Sequence, residues 1–164
     1  MKRVIIIGCP GGGKSTFARA LAEKTGLPLY HLDMLYWNAD RTTVEREVFR
    51  ARLAEIMVRD TWIIDGNYLS TMQWRMENCD TVFFLDMPLE TCLEGVRSRR
   101  GKPRPDMPWI ETEEDKEFTD FIRSFISESR PKITALLENI NGKTVIEFKN
   151  RDEITKYLKN MQKN

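Results

Sequence analysis

The sequence predicts an α/β protein built on a parallel sheet, and three observations carry that reading. The run Val4-Ile5-Ile6-Ile7 is apolar and β-branched, as expected of a strand buried on both faces. Directly after it, Gly8-Cys9-Pro10-Gly11-Gly12-Gly13-Lys14-Ser15 fits the phosphate-loop pattern G-x-x-x-x-G-K-[ST] at every position. Beyond it, short apolar strands and amphipathic helices alternate to the end of the chain, the pattern of βα units.

The loop dictates its own chemistry. Glycines let backbone N–H groups curl around an anion, and the helix that follows adds its positive end. Lys14 supplies a mobile ammonium for the β- and γ-phosphates, and the Ser15 hydroxyl suits Mg²⁺. Gly8, Pro10, Gly11, Gly12, Gly13, Lys14, Ser15 and Thr16 are therefore the candidate residues for ATP, with Mg²⁺ beside them.

In order, Thr16–Lys24 reads as a helix stopped by Gly26 and Pro28. Leu27–Leu32 reads as a second strand, which puts Asp33 at the sheet edge where ligands of open α/β folds bind. Asp33 either orients the acceptor or a metal-bound water, or caps the following turn. Trp37, in the bulky run Met34–Asn38, either stacks on a substrate ring or covers the sheet edge. Thr42 and Glu45 have capping-box spacing, and Val44, Val48, Phe49, Leu53, Ile56 and Met57 predict an amphipathic helix over 43–59. Arg46, Arg50 and Arg52 lie mostly off that stripe.

Thr61–Ile64 is a third strand ending in Asp65-Gly66-Asn67-Tyr68. A carboxylate directly after a buried strand is placed to meet a metal beside a phosphate loop, so Asp65 joins Ser15 as a candidate for Mg²⁺. Asn67, Tyr68 and Arg75 are candidates for the acceptor pocket, with Asp33 and Trp37. A fourth strand ends at Asp86, and Pro88 opens a helix over Leu89–Arg100.

The segment 101–108 holds three prolines and one glycine, so it predicts a stiff, basic, exposed loop. Arg97, Arg100 and Arg104 are its candidates for phosphate contact; the alternative is a solvated charge run. Glu113–Asn139 predicts a long helix that Pro131 kinks or divides, with Phe118, Phe121, Ile122, Phe125, Ile126, Ile133, Leu136, Leu137 and Ile140 along its core side. Arg123 and Arg130 could reach back toward the loop. A fifth strand over 144–148 and a helix capped by Asn150 close the chain. Lys14, Asp33, Asp65, Arg100 and Arg104 form the candidate catalytic set.

At 164 residues the chain is expected to form one domain. With 26 basic and 25 acidic side chains its net charge of +1 argues against an extended nucleic-acid or membrane surface. Basic residues concentrate in 97–104 and in the tail from Lys156 to Lys163. The chain enters its first strand at once, leaving no room for a signal peptide, and its three cysteines have no CxxC spacing, which together suggest the cytoplasm. The sole histidine, His31, is expected to be a strand residue with a satisfied ring. Cys9 is either a small loop residue or a thiol of lowered pKa.

Taken together, Ile7–Ser15, His31-Leu32-Asp33 with Leu35-Tyr36-Trp37, Trp62–Tyr68 and Arg104-Pro105-Asp106-Met107 resemble the P-loop kinase superfamily, near the adenylate-kinase and shikimate-kinase-like small-molecule kinases. The resemblance is nearest to the DNA topology modulation, or adenylate-kinase-related, group. It implies a three-layer α/β/α fold with a five-stranded parallel sheet of order 2-3-1-4-5, an acceptor-binding insertion at about 34–60, and a short basic lid at about 100–112. It also implies ATP and Mg²⁺. Adenylate kinases follow their third strand with Asp-Gly-Phe-Pro-Arg, whose arginine binds the acceptor phosphate. Here the run is Asp65-Gly66-Asn67-Tyr68-Leu69, and Arg75 is the one replacement.

The expected function is transfer of the γ-phosphoryl of ATP to a small nucleotide- or nucleoside-like acceptor, by a monomer or weak homodimer. Two alternatives stand beside it: a nucleotide-binding regulator of DNA topology or gene expression, and an ATPase that needs no acceptor.

Overall fold

The structure, a computed structural model, describes residues 1–161. Five strands form one sheet in the order β2-β3-β1-β4-β5: β1 Arg3–Gly8, β2 Leu29–His31, β3 Trp62–Asp65, β4 Thr81–Leu85 and β5 Thr144–Phe148. Every neighbouring pair is parallel, with Ile5 of β1 opposite Ile64 of β3 and Val82 of β4. Successive side chains of a strand face opposite sides. Val4, Ile5, Ile6 and Ile7 are all fully buried, so both faces of the central strand are covered.

The cover comes from the helices between the strands: α1 Lys14–Thr25, α2 Leu32–Tyr36, α3 Arg46–Met57, α4 Leu69–Asn78, α5 Leu89–Arg99, α6 Lys116–Ser124, α7 Arg130–Glu138 and α8 Arg151–Asn160. Phe17 of α1 meets Phe83 edge-on at 4.9 Å and Phe148 at 5.5 Å, and Tyr157 of α8 completes that aromatic cluster. Edge-to-face pairs add to the burial that holds α1, and hence the phosphate loop before it, on the sheet. Asn150 caps α8 by accepting from the Glu153 N–H at 3.0 Å. Among the described residues no helix is long and apolar enough to cross a membrane. The basic tail runs into Lys163, which lies outside the described residues.

Several expectations need correction. β2 ends at His31, and Asp33, two residues on, lies in the first turn of the short helix α2, so Met34–Tyr36 are helical. The Thr42–Glu45 capping box does not form: Thr42 donates its hydroxyl to Asp40 at 2.6 Å, and α3 starts at Arg46 with no side-chain cap. Pro88 caps α5 from outside, and α4 was not anticipated. The long helix over 113–139 is three pieces, with a π-helical turn at Phe125–Ser129 between α6 and α7. Phe121, in α6 before that turn, is 45% exposed and Ile126, within it, is 48% exposed, while Ile122 and Phe125 are buried.

Candidate active site

The phosphate loop is shaped by contacts that leave no room for side chains. A Cβ on Gly11 would lie 2.0 Å from the Cys92 carbonyl oxygen, and one on Gly95 would lie 2.1 Å from the Gly11 oxygen. The loop therefore rests backbone-to-backbone on α5. Gly13 sits at the N-cap of α1 in the left-handed region (φ 94°) with no side-chain cap, so the first N–H groups of the helix are free for an anion. Lys14 turns its Nζ back to the Cys9 carbonyl at 3.1 Å.

Three elements bring charge to this loop. From the end of β3, Asp65 accepts the Ser15 hydroxyl on Oδ2 at 2.7 Å, and the His31 Nδ1 lies 2.8 Å from the same oxygen. A carboxylate only accepts, so the ring proton sits on Nδ1. Oδ1 of Asp65 is buried and has no hydrogen-bond partner. From α2, Asp33 accepts the Tyr68 hydroxyl on Oδ1 at 2.7 Å. Burial pushes the Asp33 pKa above the usual carboxylate value; the Tyr68 bond and the Lys14 charge oppose that, while Asp65 and Asp106 reinforce it. The third element is the loop after α5, where Arg104 contacts Asp106 at 3.3 Å and Glu111 at 3.6 Å. Arg99 grips Glu111 through two nitrogens at 2.9 and 3.1 Å.

Around these groups lies a cavity of about 1460 Å³. A single small-molecule site spans roughly 300–1,000 Å³, so this one has room for two ligands side by side. It is lined by Pro10–Thr16 and also by Asp33, Trp37, Arg41, Tyr68, Trp109, Arg100 and Arg104. Trp109 meets the Trp37 ring at 5.9 Å, Arg41 lies over Trp109 at 5.2 Å, and Arg41 donates to the Ile110 carbonyl at 3.4 Å. The 100–112 loop thus rests on the segment after α2.

Lys14, Ser15, Asp33, Asp65, Trp37, Tyr68, Arg100 and Arg104 all meet this one cavity. Arg100 is also 3.9 Å from Glu114. Gly8 opens the loop, clipped by Asn67, whose Oδ1 accepts the Gly8 N–H at 3.0 Å and whose Nδ2 donates to the Gly8 carbonyl at 2.7 Å. Asn67 lines the cavity but its amide is committed to the backbone.

Arg75 corrects the expectation of an acceptor-binding arginine. It is 0% exposed and does not line the cavity. It donates to the carbonyls of Gly66 (2.9 Å), Asn67 and Tyr68 (3.3 Å) and to Thr71 Oγ1 (3.2 Å), holding the 66–68 turn.

Other candidates fall away in the same manner. Arg97 is not among the residues lining the cavity. Arg50 lies over Trp74 and Arg52 donates to the Leu35 carbonyl. Arg123 pairs with Asp120, and Arg130 and Lys149 with Asp86. Burial would raise the Asp86 pKa, but these two cations outweigh it and hold it at about 2. A hydrogen bond with Cys92, aided by burial, raises the Cys9 thiol pKa, so Cys9 is not a reactive thiolate.

Sequence reasoning missed Asp106, Trp109 and Arg19 as parts of this site, and missed His31 as the partner of Asp65. Asp106 and Trp109 sit in a loop with no periodicity to read. For His31 the signal was its place two residues before Asp33 at a strand end.

Comparison with known proteins agrees with this architecture. The chain superposes on a shikimate kinase from Acinetobacter baumannii, solved in complex with shikimate, with a TM-score of 0.61 over 97% of this chain and 92% of that one, at 22% identity. A shikimate kinase from Bacteroides thetaiotaomicron gives a TM-score of 0.64 over 96% and 94%, at 21% identity. The chain has the P-loop NTPase fold of the shikimate kinases. In sequence it is 25% identical over 124 residues to a shikimate kinase of Sulfurihydrogenibium sp. (strain YO3AOP1), covering 66% of this chain and 74% of that protein. No protein-family model matches the chain.

Proposed function

We propose that the protein is an ATP-dependent phosphotransferase that moves the γ-phosphoryl of ATP onto a hydroxyl of a small acceptor held beside Asp33. The reading rests on one observation above the rest: a phosphate loop and a half-buried carboxylate of raised pKa, Asp33, open into the same cavity. The loop amides, the start of α1 and Lys14 hold the β- and γ-phosphates. Ser15 and Asp65, the latter through water, are the residues for Mg²⁺, and the buried, unpartnered Oδ1 of Asp65 fits that assignment. Bound there, the ion neutralises charge on the phosphoryl being transferred. Asp33 takes the proton of the acceptor hydroxyl, while the Tyr68 hydroxyl fixes its Oδ1 and leaves Oδ2 for the acceptor. Arg100 and Arg104 offset the charge spread over the transferred group.

In this reading residues 34–60 are the acceptor-binding insertion and 100–112 the lid of one domain. The acceptor is nucleoside- or nucleotide-like, because the aromatic side chains Trp37 and Trp109 line the cavity together with Asp33. The stretches at His31–Asp33, Asp65–Tyr68 and Arg104–Met107 favour the DNA topology modulation group within the superfamily. A hydroxylated carboxylate such as shikimate is the second reading, favoured by the likeness to shikimate kinases, with Arg41 and Arg104 as cations lining the same cavity.

The test is to incubate the protein with ATP and Mg²⁺ and a panel of nucleosides, nucleoside monophosphates, shikimate and related hydroxy acids, following ADP. The expected result is acceptor-dependent ADP release well above a Lys14→Ala control, largest for a panel member with a planar base. Release greatest with shikimate selects the second reading. Release that no acceptor accelerates contradicts phosphotransfer.

A further inference from the structure

Asp106 is the buried acid of the lid. It is 3% exposed and lies 87 residues from Arg19, yet Arg19 Nη1 on α1 contacts its Oδ1 at 3.4 Å, while Arg104 Nη1 contacts Oδ2 at 3.3 Å. Asp106 lines the same cavity as Ser15 and Asp65. Burial works against the charge on Asp106, but Arg104, His31, Ser15 and Arg19 outweigh it and keep the pKa below the usual carboxylate value.

Two carboxylates thus share one cavity. Asp65 comes from β3 and Asp106 from the lid, both line the cavity with Ser15, and the Ser15 hydroxyl donates its one hydrogen to Asp65. Asp65, itself 4% exposed, keeps a second oxygen that is buried and unpartnered. Among the described residues no three acidic, histidine or cysteine side chains gather around one point, so the protein supplies no complete metal cage. A hydrated Mg²⁺ that shares its ligands with substrate phosphates asks for fewer protein groups than that.

Resting on the nucleotide reading above, we infer that Asp106 is a positioning residue that makes lid closure conditional on Mg²⁺. With phosphates in the loop and no ion, the lid brings a carboxylate toward bare phosphate charge, and closure is opposed. With the ion at Ser15 and Asp65, Asp106 meets positive charge and can accept hydrogen bonds from coordinated water. Arg19 is fixed on α1 and Arg104 travels with the lid, so neither guanidinium alone makes this distinction.

Titration calorimetry of the full chain with the non-hydrolysable β,γ-imido analogue of ATP, in Mg²⁺ and in EDTA, gives the ratio of the two dissociation constants. Asp106→Asn is expected to lower that Mg²⁺ preference by about tenfold, the size of one charge-assisted contact. Arg19→Met, which breaks the ion pair but keeps the carboxylate, should retain the preference. If both variants lose it alike, Asp106 acts only as a packing partner and the inference fails; if Asp106→Asn keeps it, the inference fails as well.

Trypsin supplies a reading that needs no variant, because Lys102 and Arg104 precede proline and the Arg100–Gly101 bond is the one to follow. In the wild-type chain the analogue should protect that bond with Mg²⁺ and not with EDTA. Equal protection in both overturns the inference while leaving the nucleotide reading intact. No binding of the analogue in either medium overturns both.

Discussion

Asp33→Asn is expected to lower kcat for phosphoryl transfer by about 10³-fold, within the 10²–10⁴ that a positioned base contributes. The affinity for Mg²⁺ and ADP should stay unchanged, because Asp33 stands on α2 outside the loop that grips phosphate and that loop is untouched. The pH profile separates this role from mere packing. A base works ionised, and burial raises the Asp33 pKa, so kcat should fall as pH drops through a value above the ordinary ~3.9. Tyr68→Phe deletes the hydroxyl that favours the charged form, so it should move that acid limb to higher pH. In Asp33→Asn the limb should vanish. An acid limb unaltered by either substitution would assign the base elsewhere.

Arg75→Met should cost about 3–5 kcal/mol of stability, read as a lower urea midpoint with an unchanged slope. The guanidinium is fully buried and serves three consecutive carbonyls, those of Gly66, Asn67 and Tyr68, together with the Thr71 hydroxyl. Methionine fills similar volume but strips the guanidinium bonds from the Gly66 and Asn67 carbonyls, the Tyr68 carbonyl keeping the Thr71 N–H at 2.9 Å, and the loss is a large part of the roughly 5–15 kcal/mol that holds an ordinary domain together. Arg75→Lys should recover little of it, since an ammonium cannot reproduce the planar fork. An arginine that bound acceptor phosphate would behave in the opposite manner, with stability intact and KM raised.

Arg75 also marks where a sequence is legible and where it is not. The strands, the phosphate loop and α1 are written locally, in a run of β-branched residues, a glycine pattern and a helical repeat, and Asp65 follows from its place at a strand end. Arg75 was readable in principle: Thr71, Met72 and Met76 of α4 are buried with it, so it stands on the inward stripe of a helix, where a cation has a structural task. Asp106 was not readable, because its role exists only when a loop far along the chain folds back onto α1.

Local rules also failed where tertiary contacts offered the same atoms something else. Between Tyr36 and Val44 the backbone closes on itself, Val44 N–H to the Tyr36 carbonyl at 2.9 Å and Asn38 N–H to the Thr42 carbonyl at 2.9 Å, which takes Thr42 out of position to cap α3. At Ile126 the error was an assumed period of 3.6 across a segment that contains a π turn, whereas Phe121 precedes that turn and is exposed in α6 beside the buried Ile122.

The most direct measurement is calorimetric titration of the wild-type chain and Lys14→Met with Mg²⁺ and ADP. Saturable binding at one site per chain is expected for the wild type, weakened at least tenfold in the variant, which loses the ammonium while keeping the loop backbone. Absence of heat with the wild type, or equal affinity in both proteins, would contradict a polyphosphate grip at the turn between β1 and α1.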